Sequence, residues 1–147
     1  MKAIIPVAGV GTALRPHTHT QPKALVPVAG KPLISHIVDF LMSGGVTDFV
    51  FVIGYMGNKI EKYVKNRYQD KALHLHFVVQ DPRKGSAHAV WCTREKLKND
   101  EPLLIMLGDT IINMDLGLML RQADNVLGIK KVGNPGEFGI AEVDKNG

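Results

Sequence analysis

Short apolar runs alternate along this chain with longer stretches of helical periodicity, and that alternation commits it to a parallel sheet wrapped by helices. Lys2-Ala3-Ile4-Ile5-Pro6-Val7 opens the series, too short for a helix and followed almost at once by Gly9. Behind Pro32, which suits the first turn of a helix, Leu33, Ile34, Ile37, Val38 and Leu41 repeat at helical spacing until Gly44-Gly45. The pattern predicts further strands at residues 49–53, 73–79 and 103–107. Between them it predicts a helix after Gly57-Asn58 carrying Ile60, Tyr63, Val64 and Arg67, and another from a Ser86 cap to about Leu97. A short helix at 116–124 and strand-like stretches at 126–132 and 138–143 complete the series. Asp144-Lys145-Asn146-Gly147 has the residues of a hairpin turn. The expected fold is α/β, a single domain over residues 1–147 with a doubly wound, mostly parallel Rossmann-like sheet.

Composition narrows the function classes. A chain of 147 residues can bury roughly two-thirds of its unfolded surface. Its 45% hydrophobic and 22% charged content is ordinary for a globular domain. No apolar run approaches the roughly 18 residues of a membrane span. The chain opens directly on a strand, which leaves no room for a signal peptide, so the cytoplasm is the expected compartment. Cys92 is the single cysteine, which excludes an internal disulfide and suits an inert core thiol. A net charge of +4 suits anionic small molecules and nucleic acid alike. The cations are dispersed and aromatic residues make up only 6%, so no base-stacking platform is expected and nucleic acid is not the expected partner.

The segment from Pro6 to Pro32 carries the chemistry. Gly9 and Gly11 flank Val10 after Ala8, so the backbone can turn sharply and bare its N–H groups to an anion. Thr12 adds a hydroxyl, Arg15 a planar fork of donors, and Lys23 a mobile point charge. The simpler alternative is a glycine-rich turn with solvated cations. Two commoner phosphate motifs fit poorly. A dinucleotide fingerprint needs a third glycine where Leu14 stands, and its acid would fall on Asp39 inside a helix. A P-loop needs Ser or Thr after Gly30-Lys31, where this chain has Pro32.

In order, Gly9-Val10-Gly11-Thr12-Ala13-Leu14-Arg15-Pro16, Pro22-Lys23 and Gly30-Lys31-Pro32 resemble the signature of the sugar-1-phosphate nucleotidyltransferases. The resemblance continues through Gln80, Gly85 and Asp109, nearly the whole chain. It implies that Ala8, Gly9, Gly11 and Thr12 cradle a triphosphate, that Lys23 and Arg15 are the catalytic cations, and that Asp109 of Leu107-Gly108-Asp109 binds Mg2+. It implies that Gln80, Gly85 and Ser86 form the nucleobase segment, and that Gly139 faces the sugar. The substrates implied are a nucleoside triphosphate, UTP or dTTP first, and a sugar-1-phosphate such as glucose-1-phosphate. Relatives often assemble, which makes a homo-oligomer the expectation here. One position departs. The family usually places Arg, less often Lys, where this chain has Ala13, and in relatives that cation stabilises the triphosphate and its developing charge. Relatives also continue past a turn like Asn146-Gly147, so the sequence reads as a truncated or abbreviated member.

Two alternatives stay open on the residues. Ala13 and the shortened chain suit a non-catalytic nucleotide-binding or regulatory module as well as an enzyme. Asp109 could equally cap the loop after its strand. The remaining histidines are read as polar-face residues: His17 and His19 flank Thr18, and His74 and His76 share one strand face, each pair short of a zinc set. Met106, Met114 and Met119 are expected in or near the core.

Overall fold

The computed structural model describes residues 1–98, 100–122, 124–137 and 139–143. It divides into two compact units, Met1–Met114 and Asp115–Gly147, where the sequence suggests one domain.

The first unit is built on a four-stranded sheet. Strand β1 (Lys2–Pro6) pairs in parallel with β4 (Asp48–Ile53), β4 pairs in parallel with β5 (His74–Val79), and β6 (Leu103–Ile105) returns to the free side of β1. The order is therefore β5-β4-β1-β6, and the winding reverses between β1 and β6. The fold class expected from the sequence is the one observed. A small antiparallel hairpin of β2 (Pro27–Val28) and β3 (Lys31–Pro32) lies in the β1–β4 crossover.

Alternation along the strands separates two apolar faces. Ile4, Val50 and Val52 pack with Ala89 of helix α3 (Ser86–Cys92), joined by Val78, Val90 and Leu97. On the other face Phe49, Phe51 and Phe77 stack in a row, with centroids 6.1 and 5.2 Å apart. Lys65 of α2 (Gly57–Arg67) lies over the Phe77 ring at 5.4 Å. Helix α1 (Leu33–Ser43) buries the residues its periodicity predicts. Its end is closed by Gly45 at φ +85°: Gly45 N–H donates to Met42 O (2.9 Å) and Val46 N–H to Leu41 O (3.1 Å). That pair of hydrogen bonds is a Schellman cap, and Val46 and Leu41, the two positions whose apolar side chains accompany it, are both buried. Tyr63 ties α2 to Ser35 of α1 at 2.7 Å, and Tyr68 donates to Asp39 at 2.8 Å.

Several boundaries differ from expectation. Pro32 caps α1 from outside. Gly57 is the first residue of α2, behind a left-handed Met56 (φ 50°). Ser86 is helical, with Gly85 in the cap position, and α3 ends at Cys92 before a 3-10 turn at Arg94–Lys96. Met114 is exposed.

In the second unit, helix α4 (Leu116–Leu120) starts at Asp115, whose carboxylate accepts from Gly117 N–H at 2.8 Å. The expected strands at 126–132 and 138–143 are absent among the described residues, where beyond α4 only a 3-10 turn at Pro135–Glu137 is regular. Leu127, Ile129 and Ile140 are exposed, and an apolar run becomes a stable strand only where neighbours pair with it. The expected turn at 144–147 lies outside the described residues.

Candidate functional site

An open parallel sheet gathers ligands beyond the carboxyl ends of its strands, where the winding reverses. Here that point lies between β1 and β6, and two adjoining clefts open there. The first, about 340 Å3, is lined by Pro6, Val7, Gly9, Gly11, Lys23, Ala24, Ser86, Leu107, Gly108 and Asp109. The second, about 280 Å3, shares Pro6, Gly9 and Ser86 and adds Ala8, Gln80, Arg83, Gly85 and Ala89.

The loop after β1 is held from several sides. Val7 N–H continues the ladder to Val52 O at 2.8 Å, and Tyr55 N–H donates to Ala8 O at 3.3 Å. Gly11 takes φ +70°, and a Cβ there would lie 2.9 Å from Lys23 Cβ, so positive φ and close packing both select glycine. Buried Thr18 donates through its hydroxyl to Gly11 O at 2.8 Å, folding the following turns back under the loop. Around Gly9 the space is open: a Cβ there would meet no heavy atom within 4 Å. The backbone at Gly9 is thus bare toward the clefts.

Opposite the loop, Gly108 N–H donates to Pro6 O at 3.2 Å, extending the pairing of β6 with β1. Asp109 follows directly. Lys23 Nζ meets Asp109 Oδ2 at 2.8 Å, joining the loop after β1 to the loop after β6. The hydrogen bond from Lys23 holds the Asp109 carboxyl below its usual range and outweighs the opposing effect of its partial burial. The site therefore presents an ionised carboxylate beside an ammonium, with glycine backbone close by.

Asp109 fits a magnesium ion on chemical grounds. Magnesium takes one or two carboxylates and completes its shell with water and phosphate oxygens. No cluster of three or more His, Cys, Asp or Glu side chains converges among the described residues.

The residues singled out from sequence divide into groups. Ala8, Gly9, Gly11, Lys23, Gln80, Gly85, Ser86 and Asp109 line the clefts. Thr12 and Arg15 are exposed and line neither, and Ala13 is exposed beside them. Gly139 belongs to the second unit and is exposed there. Gln80 is 4% exposed, and its amide donates to Gly85 O at 2.9 Å and approaches His88 Nδ1 at 3.1 Å. Sequence reasoning did not isolate His88, Thr18 or Gly108. The available signal for His88 was its place in the first turn of α3, since helical side chains lean toward the amino end, here toward Gly85 and Gln80.

Residues 2–147 match the model of the nucleotidyl transferase family. The chain belongs to that family. This nucleotidyl transferase chain is 35% identical over its full length to the low-salt glycan biosynthesis nucleotidyltransferase Agl11 of Haloferax volcanii, of which it spans 42%. It is also 35% identical over 122 residues to the UTP–glucose-1-phosphate uridylyltransferase AglF of the same organism, covering 83% of this chain and 49% of that one. Among solved structures, a UDP-glucose pyrophosphorylase complexed with UDP-glucose superposes with a TM-score of 0.68 at 28% identity, over 80% of this chain and 51% of the other. The nucleotidyl transferase chain thus spans about half or less of the length of these relatives. No helix among its described residues is long and apolar enough to cross a membrane.

Proposed function

We propose that this chain binds a nucleoside triphosphate at the β1–β6 reversal and transfers its nucleotidyl group to a sugar-1-phosphate. The observation that carries the reading is Lys23 and Asp109 meeting at 2.8 Å beside the open backbone of Gly9 and Gly11. A phosphate oxygen of the sugar-1-phosphate attacks the α-phosphorus, forming one P–O bond as the bond to the β-phosphate bridge breaks. Pyrophosphate leaves and a nucleotide sugar remains. No covalent enzyme intermediate is required, so the protein's work is positioning and charge stabilisation. Gly9 and Gly11 face the triphosphate with backbone N–H groups. Lys23 neutralises phosphate oxygens near the reacting phosphorus. Asp109 would hold Mg2+, which supplies Lewis-acid neutralisation of the phosphate charge. Gln80 and Gly85 contact the base, and Gly139 is the residue assigned to the sugar. UTP or dTTP with glucose-1-phosphate is the favoured pair, because relatives are named for uridylyl transfer to glucose-1-phosphate. The cytoplasm, where such triphosphates are held, is the proposed compartment, and a homo-oligomer the proposed state.

Incubating the chain with UTP, glucose-1-phosphate and magnesium should release pyrophosphate. Lys23→Ala should lower that release by about a hundredfold or more without unfolding the protein. Near-normal release by Lys23→Ala would remove the lysine from the mechanism. A second reading, a nucleotide-binding module without catalysis, is favoured by exposed Ala13 and by Arg15 lying outside both clefts. Triphosphate binding with no pyrophosphate formed would select it.

A further inference from the structure

We infer that His88 determines which bases the cleft accepts, by locking the Gln80 amide with only its carbonyl oxygen left for a ligand. This rests on the triphosphate-binding reading above. Gly85 O, 2.9 Å from Gln80, is a backbone carbonyl and can only accept, so the amide must turn its NH2 group toward it. The same nitrogen lies 3.1 Å from His88 Nδ1. Facing a donor, Nδ1 must be the unprotonated ring nitrogen, which puts the imidazole proton on Nε2. Cys92 Sγ lies almost equally far from both ring nitrogens, 4.0 Å from Nδ1 and 3.8 Å from Nε2, so the amide alone sets the tautomer. Both N–H bonds of the amide are then engaged inside the protein.

Inverting the amide is costly. It would set Oε1 against Gly85 O, two acceptors with no proton between them, on a side chain only 4% exposed. Oε1 is therefore the polar atom that Gln80 brings to the cleft it lines with Gly85 and Ser86. A ring N–H satisfies it. Uracil and thymine carry one at N3 and guanine carries one at N1, whereas cytosine N3 and adenine N1 offer lone pairs. The site is thus built for a base with a ring N–H on its pairing edge, and His88 is the positioning residue that keeps it so.

Affinities for UTP, GTP, CTP and ATP with magnesium test this, read from the fluorescence of Trp91, the single tryptophan, one turn past His88 on α3. The wild type should bind UTP or GTP at least about tenfold more tightly than CTP and ATP. His88→Ala frees one amide N–H and should collapse that ratio, with affinity for pyrophosphate unchanged. His88→Asn, whose Oδ1 can accept where Nδ1 did, should restore it. The ring 15N shifts of His88 should report the Nε2–H tautomer. A residue that merely supports the helix would lower all affinities together and leave the ratio intact, which overturns the assignment, as does tight CTP binding or an Nδ1–H tautomer. Binding of all four without discrimination removes the His88 role alone. Binding of none overturns the triphosphate reading and this inference with it.

Discussion

A Cβ added at Gly108 would lie 2.3 Å from Val7 Cγ1 and 2.5 Å from Pro6 O. The oxygen belongs to a strand fixed on both sides, so it cannot retreat. Gly108→Ala should therefore destabilise the protein by about 1–3 kcal/mol through overpacking, measurable by urea unfolding, and should weaken the Lys23–Asp109 contact by displacing Asp109. Gly9→Ala is the informative contrast. A methyl group there meets nothing in the protein, so stability should stay within about 0.5 kcal/mol while triphosphate affinity falls in a binding titration. An unchanged affinity would remove Gly9 from the cradle. The order of residues along the chain singled out Gly9, Gly11, Lys23 and Asp109, and the structure gathers these four at one cleft. That order did not distinguish a glycine kept for packing from one kept for a ligand, since that depends on what lies across the sheet. Thr18 and His88 escaped for the same reason: each acts on a backbone oxygen or amide seven or eight positions away. Arg15, singled out for its charge and its place in the motif, is exposed and lines neither cleft.

Elements with strong local signals were the ones read correctly. Helix α1 combines five apolar residues at helical spacing with a Gly-Gly stop, and β4 is apolar almost throughout because both of its faces are covered. Segments whose structure depends on a neighbour were not. Residues 126–132 have the composition of a strand and no pairing partner among the described residues. The β2–β3 hairpin is too short to carry a strand signal of its own, yet its geometry is well defined. Val28 pairs with Lys31, and the two residues between them, Ala29 and Gly30, take φ 48° and 78°. Positive φ at both central positions is the type I′ arrangement, which favours Asn-Gly, and alanine is strained in that region. Ala29→Asn should raise stability by about 1 kcal/mol and shift the urea midpoint upward without altering triphosphate affinity. Loss of stability instead would mean that the hairpin adopts another turn.

The sheet carries opposite chemistry at its two ends, and this separates folding from function. The clefts lie past the carboxyl ends of the strands. At the amino ends Lys2, only 5% exposed, donates to Lys96 O at 2.6 Å and to Glu101 at 3.0 Å, with Asp48 at 3.6 Å. One ammonium thus joins β1, the start of β4 and the segment leading into β6. The hydrogen bond to Glu101 raises the Lys2 pKa above its ordinary 10.5, against burial that would lower it, with Asp48 assisting. A backbone hydrogen bond from Lys98, followed by the bond from Lys2, holds Glu101 below its ordinary 4.5. The signs fix a window. A depressed carboxyl stabilises the fold above about pH 4.5 and loses that contribution as pH falls through its lowered value. A raised ammonium stabilises it below about pH 10.5 and loses that contribution as pH rises through its raised value. Lys2→Met should therefore lower the melting temperature most on the plateau between these limits, leaving Asp48 and Glu101 without their cation. The gap between wild type and variant should shrink toward both pH extremes, where the pair is neutralised in the wild type as well. Triphosphate affinity of Lys2→Met should match the wild type at neutral pH, because the cluster sits at the far end of β1 from Gly9. A gap that stayed constant across the whole pH range would show that Lys2 stabilises the sheet by packing its chain alone.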